Sequence, residues 1–214
     1  MTTDADAGFW NAIAEEYARK PVADPDAFER KIAITLERMG SERPVLDIGC
    51  GTGSLALRLA PRAAHVHGLD VSRELVRIAR GKAEAAGAGN VTFHEGSFED
   101  AARDGTFAPG TLGAVCAYSV LHLVPDRAAV LASIRRLLAP GGLFVASTAC
   151  LGDSWVPYRP LLRAMRWMGK APSVRIFTRA ELEAEVRQAG FVDVTFPDVG
   201  AKPAIAFMVA TSPG

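Results

Sequence analysis

The 214-residue sequence has no net charge, no apolar run of bilayer length, no internal repeat and only three cysteines. Each shortage excludes something. Lys plus Arg and Asp plus Glu both number 24, which leaves no global field to hold a polyanion and argues against nucleic acid as the main substrate. Without a long apolar run there is no expected membrane span. The polar, acidic Met1–Asp6 stretch does not read as a secretory signal, and the cytoplasm is the expected location. Cys50, Cys116 and Cys150 are odd in number and match no zinc spacing, so they read as small buried apolar residues. No His and carboxylate cluster stands at metal spacing either. No metal is expected, and a magnesium-assisted mechanism finds no support.

What remains is an ordinary globular composition, 49% hydrophobic and 22% charged, long enough for a sizeable core and for one domain. Beyond residue 40, strand-like and helix-like stretches alternate. This predicts an α/β fold, a mostly parallel sheet with helices on both faces. Strands are expected at Val45–Ile48, His65–Leu69, Val91–Glu95, Leu112–Tyr118, Leu143–Thr148, Val192–Phe196 and Ile205–Ala210. Helices are expected at Ser54–Ala60, Ser72–Ala86, Pro125–Leu138 and Arg179–Ala189, with Ser72 and Thr178 as N-caps and Gly87, Gly141 and Gly190 as stops. Residues 8–39 read as two helices around a Pro21–Pro25 break, a helical cap with Trp10, Ile13, Ala14 and Tyr17 in one stripe. Residues 41–150 form the core, 151–177 an insertion, and 178–214 a last helix and strands.

The most informative segment is Val45-Leu46-Asp47-Ile48-Gly49-Cys50-Gly51-Thr52-Gly53, followed by a strand ending at Asp70. Alternating glycines let backbone approach a ligand closely, and a strand-to-helix turn at a strand's carboxyl end is where open α/β sheets bind ligands. The Asp70 carboxylate suits both hydroxyls of a ribose. The dinucleotide fingerprint spaces its glycines differently and sets a pyrophosphate on the helix N-terminus. Here Asp47 stands two residues before the first glycine and would repel a pyrophosphate. It suits a phosphate-free nucleoside with a cationic end, such as S-adenosylmethionine, whose ammonium could face Asp47, directly or through water, and whose carboxylate could sit near the N–H groups of the turn. Cys50 puts a small side chain beside that ligand.

This stretch resembles the first motif of class I S-adenosylmethionine-dependent methyltransferases of the small-molecule type. His67-Gly68-Leu69-Asp70-Val71-Ser72 resembles the second motif, Leu137–Val145 the segment leading into the fifth strand, and Phe177-Thr178 through Gly190-Phe191 the last helix and turn. The resemblance implies a Rossmann-like seven-stranded sheet whose last strand inserts antiparallel. It implies transfer of a methyl group to a small molecule with S-adenosylhomocysteine as product. The cofactor-binding set is then Asp47, Gly49, Cys50, Gly51, Gly53, Asp70, Val71, Ser97, Phe98, Ser119 and Tyr17. Ser97 stands where the family commonly has an adenine-binding aspartate, and Phe98 could pack on the base. The Ala117–His122 turn faces methyl and substrate in the family; it lacks the Asn/Asp-Pro-Pro-aromatic run of enzymes that methylate adenine or glutamine. Leu112-Gly113 departs from the common Phe-Asp.

In such families the segments at 8–39 and 151–177 cover the cofactor and shape the substrate pocket. That makes Trp10, Tyr118, His122, Trp155, Tyr158 and Trp167 the substrate-facing candidates. His122 is the one histidine near the expected methyl position and could act as general base, or serve only in packing; His65, His67 and His94 lie by strands two and three. The insertion carries Arg159, Arg163, Arg166, Lys170 and Arg175, with Arg179 just beyond, against Asp153 alone. That patch reads as a solvated face, or as attraction for an anionic, aromatic or lipid-like substrate or an anionic membrane surface. Two other functions stay open from sequence: a nicotinamide oxidoreductase, and a non-catalytic S-adenosylmethionine-binding module.

Overall fold

The computed structural model describes residues 4–169 and 171–214; Met1–Thr3 of the acidic start and Lys170 of the basic patch lie outside the described residues. Two helices come first, α1 (Asp4–Arg19) and α2 (Pro25–Arg38). Then follow β1 (Val45–Ile48), α3 (Ser54–Leu59), β2 (Val66–Asp70), α4 (Arg73–Ala85), β3 (Val91–Glu95), α5 (Phe98–Arg103), β4 (Leu112–Tyr118), α6 (Arg127–Leu137) and β5 (Leu138–Ala149). The last part holds α7 (Tyr158–Trp167), α8 (Arg179–Gln188), β6 (Val192–Thr195) and β7 (Ile205–Thr211). The strands form one seven-stranded sheet in the order β3-β2-β1-β4-β5-β7-β6. Neighbours up to β5 run parallel, and β7 inserts antiparallel between β5 and β6. The order reverses between β1 and β4, so a crevice opens at the carboxyl ends of those two strands.

Side chains alternate across β1 and divide the core. Leu46 and Ile48 join a layer with α5, α6 and α8; Val45 joins the other, with α2, α3 and α4. Asp47 shares the Val45 face and is drawn into that apolar layer beneath α3. Both central strands are buried on two sides, which is why they read as near-continuous apolar runs.

Local signals hold where they rest on caps. Ser72 accepts from Leu75 N–H, and Thr178 forms a reciprocal capping box with Glu181. Gly87 and Gly190 take positive φ just past α4 and α8. Gly141 does not stop a helix. The helix ends at Leu137, β5 already begins at Leu138, and Gly141 (φ 73°) lies in a wide bulge where Leu112 pairs with Leu138 but Ala114 pairs with Leu143. The sequence also misses α5, whose single buried turn and a half is too short to show a period.

Candidate functional site

Gly49, Gly51 and Gly53 all adopt left-handed backbone, φ 67°, 54° and 76°. At two of them space as well as conformation demands glycine. A Cβ on Gly49 would stand 2.9 Å from Val120, and one on Gly53 would stand 2.6 Å from the Phe93 ring. The turn therefore packs against the loop after β4 on one side and against β3 on the other.

Asp70 closes the turn. Its Oδ2 accepts from Gly51 N–H and its Oδ1 from Ser72 N–H, both at 2.9 Å. The helix cap is Ser72, so Asp70 is a brace between two turns and still a wall of the cavity above them. Each oxygen keeps a lone pair for a further donor. Burial pushes its carboxyl up despite those backbone donors. Asp47 is more extreme. It is 1% exposed, its Oδ2 has no hydrogen-bond partner, and burial first, then the Asp70 charge, push its carboxyl up to about 8. Two buried carboxylates with an orphaned oxygen make a place that a cation would stabilise.

Two cavities meet here. The first, about 500 Å³, runs from Gly49 and Asp70 past Val71, Leu75 and Phe98. The second, about 660 Å³, runs from Asp47, Cys50 and Thr52 to Phe28, Thr148 and Ile205. Tyr17, Gly49, Gly51, Tyr118, Ser119 and His122 belong to both. Ser119 is held at φ 57° with its N–H donating to Ser147 O at 2.6 Å. Such a left-handed, non-glycine position at the end of β4 is a local strain of the kind that collects at functional sites.

His122 sits in this shared wall. Its Nδ1 lies 3.1 Å from Thr148 Oγ1, and Nε2 has no hydrogen bond to any described residue. Burial pulls its imidazole down to about 4, so the ring is neutral at pH 7. Tyr118 donates or accepts at Thr35 Oγ1, 3.0 Å away, which ties β4 to α2. Tyr17 and Trp10 meet edge to face at 5.8 Å along α1, and Asn11 of that helix accepts from Ser72 Oγ at 2.7 Å. These contacts fasten α1 over the start of α4 and the mouth of the first cavity. Ser173 N–H reaches Asp6 at 3.2 Å, so α1 and the 151–177 segment close on the same opening.

Other sequence candidates lie elsewhere. Ser97 does not line either cavity. It caps α5, accepting from Asp100 N–H at 3.1 Å and donating to its carboxylate at 2.6 Å; Phe98 and Glu99 form the wall instead. Trp155 and Trp167 point into solvent, and Tyr158 is half-buried outside both walls. The 151–177 segment contributes Leu162, Ala171, Pro172 and Val174, residues with no chemical signal in sequence. His65, His67 and His94 stack against one another and Phe107, away from the cavities. All three cysteines are free and buried, and burial pushes each thiol up. The sequence reading also missed Lys20, Lys31, Lys82 and Lys202 around the second cavity. Lys82 donates to Thr52 Oγ1 at 2.8 Å, and burial pushes the Lys31 and Lys82 ammonium groups down.

Comparison with known proteins agrees with this geometry. A family model described as a methyltransferase domain matches residues 40–189. A ubiquinone biosynthesis O-methyltransferase of Paracidovorax citrulli is 36% identical over 106 residues, 50% of this chain and 43% of that protein. The O-methyltransferase rstn1 of Aspergillus nomiae is 28% identical over 208 residues, 93% of this chain and 87% of that protein. The chain spans about half the length of the ubiquinone-biosynthesis relatives it matches. Among solved structures, Haemonchus contortus phosphoethanolamine N-methyltransferase 2, in complex with S-adenosyl-L-methionine, superposes with TM-score 0.71 at 16% identity, covering 87% of this chain and 53% of that one, and shows the shared fold. With its glycine turn, its sheet order and a family match across most of its length, the chain belongs to the class I S-adenosylmethionine-dependent methyltransferase family.

Proposed function

We propose that this chain transfers a methyl group from S-adenosylmethionine to a hydroxyl of a small molecule. The observation that carries the reading is the shared wall. A nucleoside braced at Asp70 in the first cavity, its cationic tail reaching past Gly49 to the Asp47 end of the second, would meet an acceptor in the rest of that second cavity beside Ser119 and a neutral His122. The orphaned Asp47 oxygen fits the ammonium end of the nucleoside, Asp70 its ribose hydroxyls, and Val71, Leu75 and Phe98 its base. The names of the relatives favour oxygen as acceptor atom.

When bound, S-adenosylmethionine supplies a methyl already activated by the sulfonium charge. The residues of this chain then have three tasks. The two cavities place the partners in line, and proximity of that kind lowers a barrier by roughly 7–11 kcal/mol. Segments 4–38 and 171–174 exclude water. His122 takes the hydroxyl proton at Nε2, with Thr148 fixing the ring through Nδ1. Positive charge appears on the imidazole as it disappears from sulfur, so the net charge of the closed site is unchanged. Lys31, Lys82 and Lys202 favour an acceptor that carries an anionic group. The test is release of S-adenosylhomocysteine from radiolabelled donor across a panel of phenols and hydroxy acids. Turnover on an oxygen acceptor supports the reading; donor binding with no turnover on any oxygen, nitrogen or sulfur acceptor overturns it in favour of a silent binding module.

A further inference from the structure

Among the described residues, four of the seven large apolar side chains that the fold leaves exposed fall within fourteen residues of one segment: Trp155 at 93%, Leu161 at 49%, Trp167 at 88% and Met168 at 50%. Neither cavity uses any of them. Two of them, Leu161 and Trp167, sit on α7, Met168 caps its end and Trp155 precedes it; α7 itself has no fully buried residue. Three stripes run along it. Tyr158, Leu162 and Met165, at i, i+4 and i+7, are half-buried and face the body of the protein. Leu161, Ala164 and Met168, at i, i+3 and i+7, form an apolar stripe facing solvent. Arg159, Arg163 and Arg166, again at i, i+4 and i+7, form a basic one, with Trp167 at the border between the two outer stripes.

The charge is as unbalanced as the apolar surface. Residues 154–169 contain no Asp or Glu, and among the described residues no salt bridge or hydrogen bond forms at the three arginines, although the Arg159 charge reaches the Glu181 carboxyl and helps to lower it. A soluble surface helix normally turns only one apolar stripe inward and pairs its cations with nearby acids. Here an apolar stripe and two tryptophans remain outside, with three exposed arginines beyond Trp167 on the other flank of the helix. That arrangement matches a helix lying in a lipid headgroup layer, with apolar side chains and indoles at the acyl boundary and guanidinium groups on phosphates. The cations answer an anionic surface, and Trp167, between the basic and the apolar flank, marks the direction in which the helix would meet it.

We propose that α7 and Trp155 form a docking surface for an anionic phospholipid bilayer. The helix then sits between lipid and the first cavity, whose wall its Leu162 supplies. The surface lies outside both cavities, so the proposal stands or falls apart from methyl transfer.

Co-sedimentation with vesicles tests it. Vesicles of phosphatidylcholine plus phosphatidylglycerol should bind the protein at least tenfold more strongly than phosphatidylcholine alone, with a blue shift of tryptophan emission. High salt should weaken the binding. Trp167→Asp and the double variant Arg159→Glu/Arg163→Glu should each reduce it tenfold or more. Both variants are at exposed positions, and unchanged S-adenosylhomocysteine affinity shows that they fold. Equal binding to both vesicle types, no binding to either, or binding that survives the substitutions overturns the proposal. Self-association that Trp167→Asp abolishes, without vesicle binding, overturns it too and assigns the surface to a second copy of the chain.

Discussion

The buried Asp47 carboxyl makes ligand binding a proton-linked event. With its pKa near 8 in the free protein, the group is mostly protonated at pH 7. A ligand ammonium placed at the orphaned oxygen favours the charged form and returns the pKa toward the ordinary carboxylate range. Binding at pH 7 must then release close to one proton. Because the proton and the ligand compete, affinity for S-adenosylhomocysteine should rise by a factor of about 50 between pH 6 and pH 8. None of the titratable groups in the shared wall confuses this window: His122 titrates near 4, and the Tyr17 and Tyr118 hydroxyls are pushed above their usual range. The free protein shows the converse. A folded-state pKa raised above the unfolded value contributes stability that is present at low pH and is lost as pH rises through about 8, so its melting temperature should fall across that range. Calorimetry in buffers of different ionisation enthalpy reads the proton directly. Asp47→Asn should bind with no proton release and a flat pH profile. A flat profile in the unsubstituted protein, with no proton released, would refute the argument that a cationic tail sits at Asp47.

Asp70→Ala should cost on the order of 1.5–3 kcal/mol of S-adenosylhomocysteine affinity, since it removes charge-assisted bonds to the ribose. It should also lower the melting temperature, because Gly51 and Ser72 N–H lose their acceptor; unchanged affinity by calorimetry would take Asp70 out of the site. His122→Ala should reduce turnover by about 10²-fold or more with little change in donor affinity. In the unsubstituted enzyme at saturating donor, the acid limb of the kcat profile should fall near pH 4, below the ordinary imidazole range, because burial holds the ring neutral above that. Near-normal turnover in the variant would leave His122 a packing residue. Gly53→Ala should destabilise the fold by about 1 kcal/mol or more, through the positive φ and the Phe93 contact, and chemical denaturation would show it.

What was legible in the sequence was what depends on neighbours along the chain. Strand runs, glycine spacing, Ser72 and Thr178 as caps, and the Asp47 and Asp70 pair are local signals, and the folded structure keeps them together. The failures have equally physical origins. Ser97 carries the right chemistry at the right distance from β3, but an aspartate three residues on makes it a helix cap and turns its hydroxyl away from the cavity wall. Trp155 and Trp167 read as pocket material because the 151–177 segment shapes the pocket in the family; Trp155 lies before α7, and of the α7 stripes the one that turns inward carries Leu162. The lysines of the second cavity come from the turn after α1, from α2, from α4 and from the segment before β7, four stretches whose meeting only the fold determines. Gly141 looked like a stop because β5 begins without a loop between it and α6.

The central claim is that the turn after β1 and the end of β2 hold a phosphate-free nucleoside with a cationic tail. A crystal grown with S-adenosylhomocysteine and a nicotinamide dinucleotide together tests it most directly. The account predicts S-adenosylhomocysteine alone, its ribose hydroxyls on the Asp70 carboxylate and its amino group on the side of Asp47. A dinucleotide in the first cavity, or no nucleoside touching Asp70, would contradict it.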